Sequence, residues 1–197
     1  MVIWVPIVTS VAALVLSLMT WFQVQRAPEI RMDLPSITRI AGSDFHVYLQ
    51  PSFIVPRQYE ATARIRSVRL ELTRDGAVDS RAPVFYWRES GRFERDEQGL
   101  TNFTYAADPG PFIVGPDEPE QPILDFHATN GLISPGRWNG VLTATRDDGE
   151  DPLVRHFCVE VTEANMADYE PPDDHFYIDF RSDIPGGSGC YSRPADF

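Results

Sequence analysis

The strongest constraint on this chain is its first segment. From Val2 to Phe22, 21 residues pass without one charged side chain. A bilayer core of about 30 Å needs about 20 apolar residues in a helix, and this stretch meets that length. Trp4 lies near one end, and Trp21 and Phe22 near the other. That is where aromatic rings sit at the two headgroup levels. Pro6 falls in the first turn, where its missing N–H costs little. A cleaved secretory signal fits poorly. No basic residue precedes the run, and the exit Met19–Gln25 carries no small-x-small cleavage site. The sequence therefore predicts a transmembrane anchor over 1–23, with the lipid bilayer as partner of residues 2–22.

About 170 residues of the 197 follow the anchor, enough for one domain with its own core. The net charge of −12 argues against nucleic acid as partner. All 17 basic residues are arginine, so lysine chemistry is excluded, Schiff bases and phosphate-loop lysines included. Residues 24–35 read as a short connector punctuated by Pro28 and Pro35, 36–182 as the folded domain, and 183–197 as a Gly-rich tail.

Within the domain the hydrophobic pattern has period 2, with little at period 3.6. Phe45, Val47, Leu49, Phe53 and Val55 share one face of an extended run that Pro51 interrupts. Arg66, Val68, Leu70 and Leu72 share a face of the next strand, and Asp75-Gly76 closes it. Residues 83–88 are aromatic and extended, 91–99 polar and loop-like, and 101–105 and 112–114 short strands. Gly140–Arg146 and Leu153–Thr162 flank an acidic turn as a hairpin. Glu163–Asp168 suits one helical turn, and 176–180 a last strand. Seven to nine short strands with no helix to cover a parallel sheet predict a mainly β fold, an antiparallel β-sandwich. Its architecture is similar to that of an immunoglobulin-like domain, without the Cys-Trp-Cys core signature.

His156 and Cys158 lie two apart on one strand and share a face, while Leu153, Phe157, Val159 and Val161 take the other. Cys158 and Cys190 are the only cysteines. A disulfide between them would pin the tail to that sheet and close a loop worth roughly 3–4 kcal/mol. It requires an oxidising compartment. Zinc on His156, Cys158, His175 and Cys190 is the alternative, although the spacing fits no standard pattern. The acidic stretches 147–151 and 168–174 offer oxygen ligands for calcium without the loop signature. No G-x-S-x-G or phosphate loop is present, and His46 and His127 have no partner near them in sequence. No catalytic residue, metal ligand or cofactor is assigned.

Aromatic residues crowd the middle of the chain. Alternation requires Tyr86 to face away from Phe85 and Trp87, so Tyr86 and Trp87 are candidates for an aromatic surface. The sequence points to a single-pass membrane protein whose sandwich acts as a non-catalytic interaction or accessory subunit, with a membrane protein as a further partner. A membrane-anchored hydrolase using acidic residues and a carbohydrate- or ligand-binding module are the alternatives. Arg26, Arg31 and Arg39 follow the anchor, and the positive-inside rule would hold them in the cytoplasm. The disulfide would place the domain outside. The expectation is an extracytoplasmic domain.

Overall fold

The computed structural model describes residues 4–24, 29–42, 44–56, 62–76, 83–95, 97, 101–116, 120–169 and 177–194. Helix α1 spans Trp4–Val24. The β domain follows, as strands β1 (Arg31–Asp33), β2 (Ile37–Ala41), β3 (His46–Leu49), β4 (Ser52–Ile54), β5 (Ala63–Arg74), β6 (Phe85–Arg95), β7 (Thr101–Ala107), β8 (Phe112–Val114), β9 (Ile123–Ala128), β10 (Gly136–Arg146), β11 (Leu153–Val161) and β12 (Ile178–Arg181). A five-residue helix, α2 (Glu163–Ala167), separates β11 from β12.

Two antiparallel sheets form the body. One has the order β11-β10-β5-β8, the other β12-β2-β3-β9-β6-β7, and a small β1-β4 pair lies beside them. The fold is thus mainly β and sandwich-like. Alternation drives the packing, because successive side chains on a strand leave by opposite faces. Val47 and Leu49 of β3, Leu124 and Phe126 of β9, Leu70 and Leu72 of β5 and Leu142 of β10 are all buried in one core. Phe45, Phe53 and Val55 join them, as their spacing predicts, and Pro51 falls between β3 and β4. The hairpin β10–β11 pairs Ala144 with Leu153, and Gly149 in its turn takes φ 77°. Such a value suits glycine, which has no Cβ to clash. Thr162 caps α2: its hydroxyl accepts from the Asn165 N–H, while the Asn165 side chain accepts from the Thr162 N–H.

The sandwich is joined at both sides. Val84, just before β6, forms an antiparallel bridge with Glu71 of β5. On the other side the tail runs between the sheet edges: Tyr191 bridges Val159 of β11, and Ser192 bridges Arg181 of β12. Exposed strand edges invite association, and this short segment covers two of them.

Two expectations are corrected. Arg66 does not share the face of Val68. A bulge opposite Thr145 and Arg146 inserts one residue, so Ile65 and Val68 point inward while Arg66 and Ser67 are exposed. Residues 91–95, read as loop, continue β6 and pair with β7. Their polarity reflects a ribbon exposed over much of its surface, not a turn. The last strand begins at Ile178; Phe176 lies outside the described residues.

The transmembrane reading of residues 1–23 draws no support from the described residues. Among the described residues no helix is long and apolar enough to cross a membrane. The side chains described along α1 are those of residues 7–22, and such a stretch covers about 24 Å at 1.5 Å per residue, against a core of about 30 Å. All of them are exposed, Leu14 and Leu16 by 62 and 65%, and none joins the core of the domain.

Candidate functional site

The outer face of the six-stranded sheet gathers the domain's unusual chemistry. The backbone sets this up at Phe45, whose φ of 43° is rare for a bulky residue. Phe45 is held inward by edge-to-face contacts with Phe85 and Trp138, at 5.0 and 5.3 Å. Alternation then sends His46 and Tyr48 outward while Val47 and Leu49 enter the core. On β9 the same rule turns Asp125 and His127 outward between Leu124, Phe126 and Ala128. On β6 it turns Tyr86 outward beside Phe85.

Register completes the cluster. His46 lies opposite His127 on the neighbouring strand, and His127 lies opposite Tyr86 on the next. The two imidazoles stack with centroids 4.4 Å apart and planes within 9°. His46 Nδ1 lies 2.8 Å from Asp125 Oδ1, and both residues are buried, Asp125 to 1% exposure. A carboxylate only accepts, so Nδ1 of His46 carries the hydrogen. The Tyr86 hydroxyl lies 2.6 Å from His127 Nδ1. Burial, then the neighbouring His46 and Arg88, pushes the His127 pKa below the ordinary imidazole value. Tyr48 also lies near-parallel to His46, within 14°, and burial followed by the Asp125 charge raises its phenol.

Beyond Tyr48 the face turns aromatic. Phe93 and Phe103 lie 5.4 and 4.9 Å from the Tyr48 ring, and the Arg39 guanidinium sits 4.1 Å above Phe93. Arg39 Nε is also 2.8 Å from Asp179. The Phe103 ring occupies the space above Gly91, where any Cβ would meet it at 2.4 Å. A shallow groove of about 260 Å³ runs along this end, past Ser36, Arg39, Tyr48, Gln50 and Phe93.

The residues singled out in the sequence fall elsewhere, Tyr86 excepted. Cys158 and Cys190 are joined in a disulfide, 32 residues apart, at the sheet edge where Tyr191 docks. That pairing leaves no thiolate for zinc; His156 is exposed and His175 lies outside the described residues. Asp147 pairs with Arg64 at 3.2 Å, and Asp148 bonds Arg146, so the hairpin acids face arginines. Residues 170–174 of the second acidic stretch, 168–174, lie outside the described residues. Among the described residues no group of three or more His, Cys, Asp or Glu is placed to hold a metal ion. Tyr86 is 43% exposed, whereas Trp87 turns toward the core and donates from Nε1 to the Glu89 carbonyl. Sequence reasoning missed the His46–Asp125–His127–Tyr86 cluster. Alternation placed its members on outward faces, but nothing local pairs β3 with β9.

No family model and no curated relative matches the chain. Among solved structures it is similar to a family 123 glycoside hydrolase from Clostridium perfringens, described in terms of glycolipid glycan hydrolysis. The TM-score is 0.37 with 9% identity, covering 69% of this chain and 27% of that one. The chain thus spans about a quarter of that protein's length, and a likeness this loose carries no functional argument.

Proposed function

We propose that the protein is a membrane-tethered, non-catalytic binding module, an accessory or interaction subunit held by α1 and displayed outside the cytoplasm. One observation carries this reading: an uncharged helix whose described side chains from Ile7 to Phe22 are all exposed and outside the domain core. Exposed apolar surface on this scale marks a protein or lipid contact. The full helix has 21 residues, about 31 Å long, and so extends beyond the stretch whose side chains are described. Its partner is the bilayer, with a neighbouring membrane protein meeting the outer face of the six-stranded sheet. That face offers exposed Tyr86 and Tyr105 around a polar centre, the composition typical of binding surfaces.

The hydrolase reading draws less support. Asp125, the buried carboxylate of the cluster, is committed to His46. A pair of acids acting on a glycosidic bond needs both carboxyl groups facing the substrate. Membrane attachment is tested by alkaline carbonate extraction and flotation of the full chain beside a variant lacking residues 2–24. The full chain is expected to float with lipid and resist extraction, and the shortened one to remain in the aqueous fraction. Full extraction of the intact chain would sink the proposal.

A further inference from the structure

The His46–His127 pair has a consequence that goes beyond tethering. It deepens the reading of the outer face as a binding surface and rests on that reading for its biological use. We propose that this pair is a proton-operated switch: adding a proton to His127 breaks the stack and releases Tyr86 from its present hydrogen bond.

The geometry dictates the direction. His127 Nδ1 lies 2.6 Å from the Tyr86 oxygen, and a neutral imidazole with bare Nδ1 accepts the phenol hydrogen there. Protonation at Nδ1 turns that acceptor into a donor. Tyr86 must then reverse its hydroxyl or leave. The new imidazolium would also lie flat against the His46 ring, 4.4 Å away. His46 cannot easily give way, because its Nδ1 is fixed to Asp125 and both are buried. Tyr48 also packs against it, with a centroid distance of 6.1 Å. The movable members are therefore His127 and the exposed Tyr86, and movement there alters the centre of the proposed surface.

The surrounding charges do not cancel this. From β3, His46 opposes a positive charge on His127, and from β6, Arg88 does the same. Asp44, just before β3, and Asp125 on β9 favour it. Glu89 on β6 and Tyr48 complete the ionisable lining. Burial sides with His46 and Arg88, and the net direction is toward a neutral His127 at neutral pH. The switch thus operates on mild acidification, the range in which histidine is the usual sensor.

The test is an NMR titration of the imidazole and tyrosine ring signals of the full chain in detergent micelles. The His127 and Tyr86 signals are assigned by loss in H127Q and Y86F. In the wild type His127 should titrate below an ordinary histidine, and the Tyr86 ring signals should move with the same midpoint. In H46Q, which removes the stacked ring, the His127 midpoint should shift upward. In Y86F, which removes the donated hydrogen, it should also shift upward. If H46Q does not fold, Y86F at an exposed position carries the same test. A wild-type His127 midpoint equal to that in the variants, or Tyr86 signals indifferent to it, overturns the proposal. The titration needs neither partner nor bilayer. A chain that fails flotation but passes here loses its anchor and keeps its switch.

Discussion

Removing the Cys158–Cys190 bridge is the most informative perturbation of the domain. The variant Cys158→Ser with Cys190→Ala keeps both side-chain volumes close to the original. The bridge joins residues 32 apart. Closing a loop of that size removes about 12 cal/mol/K from the unfolded chain, or about 3.7 kcal/mol at 25 °C. The folded state sets how much of this appears. Tyr191, next to Cys190, is 3% exposed, and its backbone N–H donates to the Cys158 carbonyl at 2.8 Å. Its carbonyl accepts from the Glu160 N–H, also at 2.8 Å, and its hydroxyl bonds the Pro35 carbonyl. Those contacts keep the tail docked without the bridge, so the loss should stay near the entropic value. If the tail came free, exposure of Tyr191 would add about 2 kcal/mol more. Urea unfolding of residues 29–197, followed by fluorescence of Trp87 and Trp138 under non-reducing conditions, reads the difference. A loss of roughly 3–4 kcal/mol is expected, with a steeper denaturant slope because the unfolded chain without the bridge exposes more surface. A loss under about 1 kcal/mol would refute the loop-closure reasoning.

Three further outcomes follow from the packing. Leu142→Ala empties a fully buried site at the centre of the four-stranded sheet and should cost about 2–5 kcal/mol in the same unfolding assay. Gly91→Ala places a Cβ against the Phe103 ring and 2.3 Å from the Thr104 carbonyl. Overpacking of this kind costs about 1–3 kcal/mol, and loss of the Phe103 ring-current shifts on nearby Tyr48 would locate it. Burial pushes the Tyr191 phenol up to about 12, from an ordinary value near 10. A group raised in the folded state contributes stability that is complete below the unfolded value and lost as pH rises through the folded one. Stability should therefore decline between about pH 10 and 12, and Tyr191→Phe should flatten that limb of the pH profile.

Much of the architecture was legible because alternation is a local property. The core positions of β3, the hairpin β10–β11 and the limits of β8 all follow from neighbouring residues. What was not legible depended on distant ones. Arg66 changes face because of a bulge defined by its partner strand β10, with four strands between them in sequence. Residues 91–95 look like loop because polar residues suit a solvent-exposed ribbon as well as a turn; only pairing with β7 distinguishes them. The histidine pair is the extreme case. His46 and Asp125 are separated by 79 residues, and a register slip of one would send each to the opposite face. Two cysteines leave a single intramolecular pairing to consider, whereas two histidines among many strands leave no such rule.

For the proposed tethered protein, the side of the membrane turns on two conflicting signals, and they differ in physical strength. If α1 is inserted, the arginines after it favour a cytoplasmic domain through a statistical bias of insertion. The disulfide is a chemical bond that a reducing cytosol does not sustain. In a cytosolic domain, Cys158 and Cys190 would be thiols, and the bridge between the sheet edges would rest on Tyr191 and Ser192 alone. Cys190 is 2% exposed, so the half-buried Cys158 would be the thiol to react first. Intact cells treated with a membrane-impermeant thiol reagent, with and without prior reductant, separate the two topologies. An exported domain is expected to label only after reduction. A cytoplasmic domain would stay unlabelled in both conditions and label at Cys158 once the cells are opened. That second pattern would place the arginine bias above the disulfide and move the whole outer face, with its histidine pair, to the cytosolic side.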